Sequence, residues 1–170
     1  MRQIAVIGLG QFGNRVAIAL TERGFEVLAV DIHKEKIDAI KDQVTHAVQI
    51  MSTTEDVFRS LGIEKVDVAV VGIGEHIEGS ILTTTLLKKM GVKKIVARAI
   101  NELHGDILSL VGADKVVFPH GTQKSREGWT SEGAVYDEVM NLPYPDYKIE
   151  PDDILLTIGK DENIERISRL

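Results

Sequence analysis

Cysteine is absent from this 170-residue chain, which excludes disulfides, thiolate metal sites and cysteine nucleophiles and makes an intracellular protein the simplest reading. Aromatic residues make up 5% of it and proline occurs four times, so neither an aromatic-rich binding surface nor a proline-rich linker dominates it. No apolar run approaches the roughly 18 residues of a membrane helix, and the N-terminus lacks a signal-peptide pattern. A role at a membrane therefore requires another subunit to supply the membrane. Positive charge is scarce: the formal net charge is −6, which argues against a nucleic-acid partner. The densest basic cluster, Lys88, Lys89, Lys93 and Lys94, surrounds a predicted helix end, where cations suit the dipole.

Catalytic and metal constellations are missing as well. His46, His76, His104 and His120 are scattered without metal-ligand spacing. Ser52, Ser80, Ser109 and Ser125 stand in no nucleophile-elbow context. The sequence thus offers neither a catalytic residue nor a metal ligand.

What is present is enough apolar material, 44% of the chain, for one soluble domain and a small appendage. Apolar runs at 3–7, 26–30, 46–50, 66–72, 94–99 and 115–118 read as strands. They are continuous rather than alternating, as in a parallel sheet covered on both faces. Segments 11–23, 34–42, 54–61, 77–90 and 102–111 carry helical spacing. Phe12, Val16, Ala19 and Leu20 share one face of the first, and Ile81, Leu82, Thr85 and Leu86 one face of the fourth. Gly24, Gly62, Gly91 and Gly112 follow four of these helices, where a left-handed residue closes the last turn. Alternating elements of these lengths predict a doubly wound α/β fold of six parallel strands in the order 3-2-1-4-5-6. Residues 1–119 form this domain. Residues 120–170 lack usable periodicity, apart from a strand-like run at 154–158 and a short helix-like stretch at 163–170, too thin for a core of their own.

The turn after the first strand reads Gly8-Leu9-Gly10-Gln11-Phe12-Gly13. In a G-x-G-x-x-G turn the first glycine permits the bend, the second lets the backbone approach a pyrophosphate, and the third lets helix pack on strand. The helix then directs its unpaired N–H groups at the phosphates. Asp31 ends the second strand, where a carboxylate accepts ribose hydroxyls and repels a 2′-phosphate, so NADP is disfavoured against NAD(H), ADP or ATP. A competing role for Asp31 is to cap the helix at 34–42. Ile32 follows it, and His33 and Lys34 lie at the adenosine edge or on plain exposed surface. Met51, Ser52 and Thr53 end the third strand and Gly72, Ile73 and Gly74 the fourth, both at the switch point that lines the ligand crevice, where Gly72 and Gly74 either admit the ligand closely or only make a strand-to-helix turn. Arg98, ending the fifth strand, reaches either a phosphate or a surface carboxylate.

These segments, with Thr45-His46-Ala47-Val48, Ser80-Ile81-Leu82-Thr83-Thr84 and Gly112-Ala113-Asp114-x-Val116-Val117-x-Pro119, resemble the N-terminal domain of RCK (regulator of conductance of potassium) proteins. The resemblance runs through residues 2–119 and includes the cytosolic Trk/Ktr-type subunits of potassium uptake systems. It implies a nucleotide-binding regulatory subunit rather than an enzyme. Such subunits form dimers and then rings beneath an integral membrane potassium-translocating protein, cytoplasmic and peripheral at the inner face, and gate it as ligand changes the ring. By the same resemblance Gly8, Gly10 and Gly13 serve the phosphates, Asp31 the ribose, Ser52 and Thr53 the adenine, and Arg98 the terminal phosphate. Gln11 stands where ATP-responsive members place arginine, which removes a charge-assisted contact to a γ-phosphate. Met51 replaces an Asp or Asn that reads the adenine amino group, and His120 replaces a frequent Glu. The stretches 151–156 and 159–162 resemble only the last strand and helix of the family's C-terminal domain, so 120–170 reads as a linker and an incomplete segment of it. A reading from a different class is an NAD-dependent oxidoreductase with its substrate site at a dimer interface. A third is a free-standing nucleotide or redox sensor with another partner.

Overall fold

The apolar runs pair side by side in the computed structural model, which describes residues 2–74 and 76–118. Six parallel strands, β1 (Gln3–Ile7), β2 (Glu26–Asp31), β3 (His46–Gln49), β4 (Val68–Val71), β5 (Ile95–Arg98) and β6 (Lys115–Val117), form one sheet in the order β3-β2-β1-β4-β5-β6. This is the doubly wound, Rossmann-like arrangement expected from the sequence. β1 is central, with Ile4 opposite Val27 of β2 on one side and Val68 of β4 on the other.

The crossovers carry α1 (Gln11–Glu22), α2 (Lys34–Ile40), α3 (Glu55–Ser60), α4 (Ile77–Lys89) and α5 (Glu102–Leu110). A single 3-10 turn at Ile63–Lys65, which the sequence reading lacks, sits between α3 and β4. Right-handed crossovers place α1 and α2 on one face and α4 and α5 on the other. Between these layers Val6, Val27, Ala29, Ala69, Val71, Ile95 and Ala97 are buried, together with Val16 and Leu20 from α1 and Leu87 from α4. Gly24, Gly62, Gly91 and Gly112 all have positive φ, as their positions past helix ends require.

Besides Ala17 replacing Ala19 on the buried face of α1, two expectations need correction. The face of α4 read from Ile81, Leu82, Thr85 and Leu86 is not the buried one: Ser80, Thr83, Thr84 and Leu87 face inward, and Leu82 is 59% exposed. The register is set by small hydroxyl side chains that let the helix lie close to its neighbours, not by the larger aliphatic residues. In addition, β4 begins at Val68 rather than residue 66, because Val66 ends the 3-10 turn and Asp67 accepts the Gln3 N–H at 3.0 Å through its side chain. The basic cluster behaves as a solvated helix end: Lys88, Lys89 and Lys93 pair with Asp114, Glu55 and Asp67. No helix among the described residues is long and apolar enough to cross a membrane. The readings made for residues 120–170 lie outside the described residues.

Candidate nucleotide site

β1 and β4 diverge in their onward connections, so a crevice opens beyond their C-terminal ends, where doubly wound sheets hold ligands. The backbone at its floor is unusually tight. Gly8, at φ +92°, continues the pairing of β1 by donating its N–H to Val30 O at 2.8 Å. A Cβ placed on Gly8 would lie 2.7 Å from Ile73 Cγ1 and 2.9 Å from the Ile73 nitrogen. A Cβ on Gly13 would overlap the Gly8 carbonyl oxygen, and one on Gly72 would come within 2.6 Å of that same oxygen. Three backbone segments, the turn, the start of α1 and the end of β4, thus meet where no side chain fits. Gly72 N–H completes the junction by donating to Ile7 O at 2.8 Å.

Gly10 differs. Its φ of −66° is open to any residue, and a Cβ there would meet nothing within 4 Å. Its only structural virtue is to leave the mouth of the turn uncovered. The Gly10 carbonyl accepts the first helical bond of α1, from the Asn14 N–H at 2.9 Å. The N–H groups of Gln11, Phe12 and Gly13 therefore have no partner within the helix. No acidic residue occupies the first turn of α1, so its positive end is not neutralised from within.

Asp31 is 6% exposed at the end of β2 and does not cap α2, whose N-cap is His33. Its Oδ2 accepts the Leu9 N–H at 2.7 Å, a bond that staples the glycine turn to the neighbouring strand. Its Oδ1 accepts the His33 N–H at 2.8 Å and lies 2.8 Å from His33 Nδ1. Lys36 Nζ stands 3.5 Å from Oδ2. Burial pushes the carboxyl pKa up, but the N–H groups of His33 and Leu9, the His33 ring and the Lys36 charge outweigh it, and the net shift is downward. Asp31 is accordingly an anion at neutral pH. The sequence signals Asp31 but not the hold on it by Leu9, His33 and Lys36.

β2–β3 pairing extends past its last ladder residues, as Ile50 N–H donates to Asp31 O at 3.0 Å and Gln49 Nε2 to Ile32 O at 3.0 Å. This brings Ile32 and the segment Met51, Ser52 and Thr53 together at one rim, all of them exposed and Met51 at 89%. On the opposite side the Arg98 guanidinium lies directly on the Cα of Gly74, where any larger side chain would displace it. Arg98 Nε is buried without a hydrogen-bond partner among the described residues. The uncovered Gly10, the unneutralised end of α1 and this orphaned Nε all fit an anionic group in the crevice. No cluster of metal-ligating side chains occurs among the described residues.

A family model for the TrkA-N domain matches residues 4–119. The chain belongs to the TrkA-N domain family. The resemblance to RCK N-terminal domains read from the motifs holds across the described sheet. Ktr system potassium uptake protein C of Bacillus subtilis (strain 168) is 43% identical over 125 residues, covering 74% of this chain and 57% of that protein. The chain spans a little over half the length of curated relatives it matches, 57%, 53% and 54% of three of them. Among solved structures, the NAD(P)-binding domain of an exopolyphosphatase-related protein from Archaeoglobus fulgidus superposes with a TM-score of 0.62 at 29% identity, covering 69% of this chain and 88% of that one. The GsuK channel bound to NAD shares the fold, with a TM-score of 0.59 at 18% identity over 68% of this chain and 21% of that one.

Proposed function

We propose that this TrkA-N domain senses an adenine nucleotide on behalf of a potassium-transporting membrane protein, as part of a regulatory subunit. The observation that carries the reading is the junction of the Gly8–Gly13 turn with the ionised Asp31 carboxylate through the Leu9 N–H. It stands in a chain 43% identical to a potassium uptake protein. The phosphates lie over Gly10 and the N-terminus of α1, with Gln11 and Phe12 presenting main-chain N–H groups. The ribose meets Asp31, and Ile32, Met51, Ser52 and Thr53 border the adenine. Gly72, Ile73 and Gly74 form the opposite wall, and Arg98 faces the terminal phosphate. NAD(H), ADP and ATP share these parts, whereas the 2′-phosphate of NADP would meet a carboxylate.

In this reading the nucleotide is a signal and not a reagent. It changes transport only to the extent that it binds one conformation of the assembled subunit better than another. Leu82 on α4 and Leu103 and Leu110 on α5 are 59%, 69% and 85% exposed, apolar surface of the kind that self-assembly covers. That supports a homodimer built into a ring, cytoplasmic and held at the inner membrane face by its integral partner.

Mass spectrometry of ligand released from the purified protein should find an adenine nucleotide. In calorimetry Asp31→Ala should weaken ADP binding by about 1–3 kcal/mol, the scale of losing a charged acceptor. Unchanged affinity sinks the ribose assignment. Because Gln11 supplies no charge for a γ-phosphate, ATP should exceed ADP by less than about tenfold in the same titration.

A further inference from the structure

We propose that His33 and Lys36 are internal competitors for the ribose, occupying the Asp31 carboxylate when no nucleotide is bound and leaving it when one arrives. The proposal rests on Asp31 being the ribose acceptor. A carboxylate offers about four acceptor directions, two on each oxygen. In Asp31 three are taken by hydrogen bonds, Oδ1 by the His33 N–H and the His33 ring, each at 2.8 Å, and Oδ2 by the Leu9 N–H at 2.7 Å, while the Lys36 ammonium stands over the fourth as an ion pair at 3.5 Å. A ribose diol brings two hydroxyl donors and needs two of those directions.

The four occupants are not equivalent. Leu9 N–H belongs to the glycine turn and His33 N–H to the chain as it leaves β2, so neither can withdraw without rebuilding the backbone that forms the site. The other two are side chains reaching in from solvent, 49% exposed for His33 and 38% for Lys36, against 5% for the carboxylate they contact. Only they can yield. Their withdrawal keeps the turn stapled to β2 through Leu9, and exchanges two contacts from basic side chains for two neutral hydroxyls. Affinity for a ribose-bearing ligand is therefore lower than the site geometry alone would allow. Because residue 33 is the N-cap of α2 and residue 36 lies in its first turn, the same exchange releases the side-chain hold between the start of α2 and the end of β2 and leaves the main-chain His33 N–H bond in place.

The experiment compares ADP with 2′,3′-dideoxy-ADP, titrated by calorimetry onto the full 170-residue chain and onto His33→Ala, Lys36→Ala and the double variant. The dideoxy probe keeps the phosphates and adenine but does not compete for Asp31. The ratio of the two affinities therefore cancels any effect of the lost positive charges on the phosphates. In the double variant that ratio should shift toward ADP by about two- to fivefold, the range of a partly exposed ion pair expressed as an equilibrium constant. Each single variant should show part of the shift. A ratio equal to or smaller than the parent's in the double variant overturns the proposal. Asp31→Ala separates the two layers. If it binds ADP as the parent does, the ribose assignment itself fails. If it loses the parent's preference for ADP over the dideoxy probe while the double variant keeps the parental ratio, the assignment stands and only the competition is wrong. Both side chains are surface groups, so the variants retain the fold against which these ratios are read.

Discussion

α1 and α4 lead away from adjacent strands of the same sheet, yet they bury opposite chemistry. α1 turns Phe12, Val16, Ala17 and Leu20 inward, with Gly13 at the point of closest approach. α4 turns in Ser80, Thr83 and Thr84 beside Leu87 and leaves Leu82 outside. The polar groups in the two halves fare differently as well. On the α1 side the buried Asp31 carboxylate accepts three hydrogen bonds and pairs with Lys36. On the α4 side Ser80 Oγ, Thr83 Oγ1, Arg98 Nε and, in α5, His104 Nε2 are buried without partners among the described residues. Thr84 alone of the inward hydroxyls on α4 is satisfied, by the Ser80 carbonyl at 2.8 Å. The α1 half is thus a preorganised cradle seated by apolar burial. The α4 half gains less from burial and carries donors in need of something to bind.

The sharpest way to break this contrast is to unseat α1. Gly13→Ala puts a methyl into the Gly8 carbonyl oxygen, backbone against backbone with no flexible side chain to give way. It should lower unfolding stability by about 3 kcal/mol, the upper range for overpacking a tight contact, read as a shifted urea midpoint at constant slope. Gly10→Ala has open space around it and ordinary backbone angles. It should leave the midpoint where it is and weaken ADP binding instead. Equal effects of the two on stability would mean that the turn is not the rigid element described here.

Exchanging the buried chemistry of the two helices gives a smaller effect of opposite sign in each. Val16 and Thr83 are both fully buried, and valine and threonine have nearly the same shape. Val16→Thr adds a hydroxyl to an apolar seat and should cost about 1–2 kcal/mol. Thr83→Val removes a hydroxyl that has no partner and should be neutral or stabilising by up to about 1 kcal/mol. A destabilised Thr83→Val would mean that a buried water bonds Thr83 Oγ1, and the contrast between the halves would narrow.

The same contrast explains what the sequence discloses. The inner strands β1 and β2 of the first half are legible because both of their faces are largely buried, leaving a continuous run such as 26–30, while the edge strand β3 exposes His46 and Gln49; in the turn, Gly8 and Gly13 are fixed by close contacts. α1 reads correctly for Phe12, Val16 and Leu20, since its apolar residues fall on one side only; Ala17 rather than Ala19 completes the face. α4 misleads because aliphatic residues fall at helical spacing on its outer side while hydroxyls occupy the inner one. Periodicity assumes that the larger apolar residues go in, and α4 follows close approach instead. In the site, Asp31 is recognisable from its distance to the turn. The residues that hold it are not, because Leu9 contributes a main-chain N–H, and His33 and Lys36 act through side-chain rotamers that spacing does not encode.

The smallest effect separates the two halves by pH. His104, 2% exposed in α5, accepts the Ile100 N–H at 3.4 Å through Nδ1, which leaves its proton on the buried, unpartnered Nε2. Burial lowers its pKa from the ordinary 6.5, so the folded chain keeps the ring neutral where the unfolded chain protonates it. Below that ordinary value the unfolded state binds more protons, and stability declines as pH falls from 6.5 toward the depressed folded value. Asp31 acts in a separate window: its pKa is also lowered, from 3.8, so its contribution is fully present above that value and is lost only on further acidification. Urea unfolding measured in steps from pH 7.5 to about pH 5 should therefore give a shallower decline for His104→Leu than for the parent, while Asp31→Ala should run parallel to the parent at lower overall stability. Parallel curves for His104→Leu and the parent would place the ring's charge change outside the folding equilibrium. They would also remove one of the unsatisfied groups on which the difference between the halves rests.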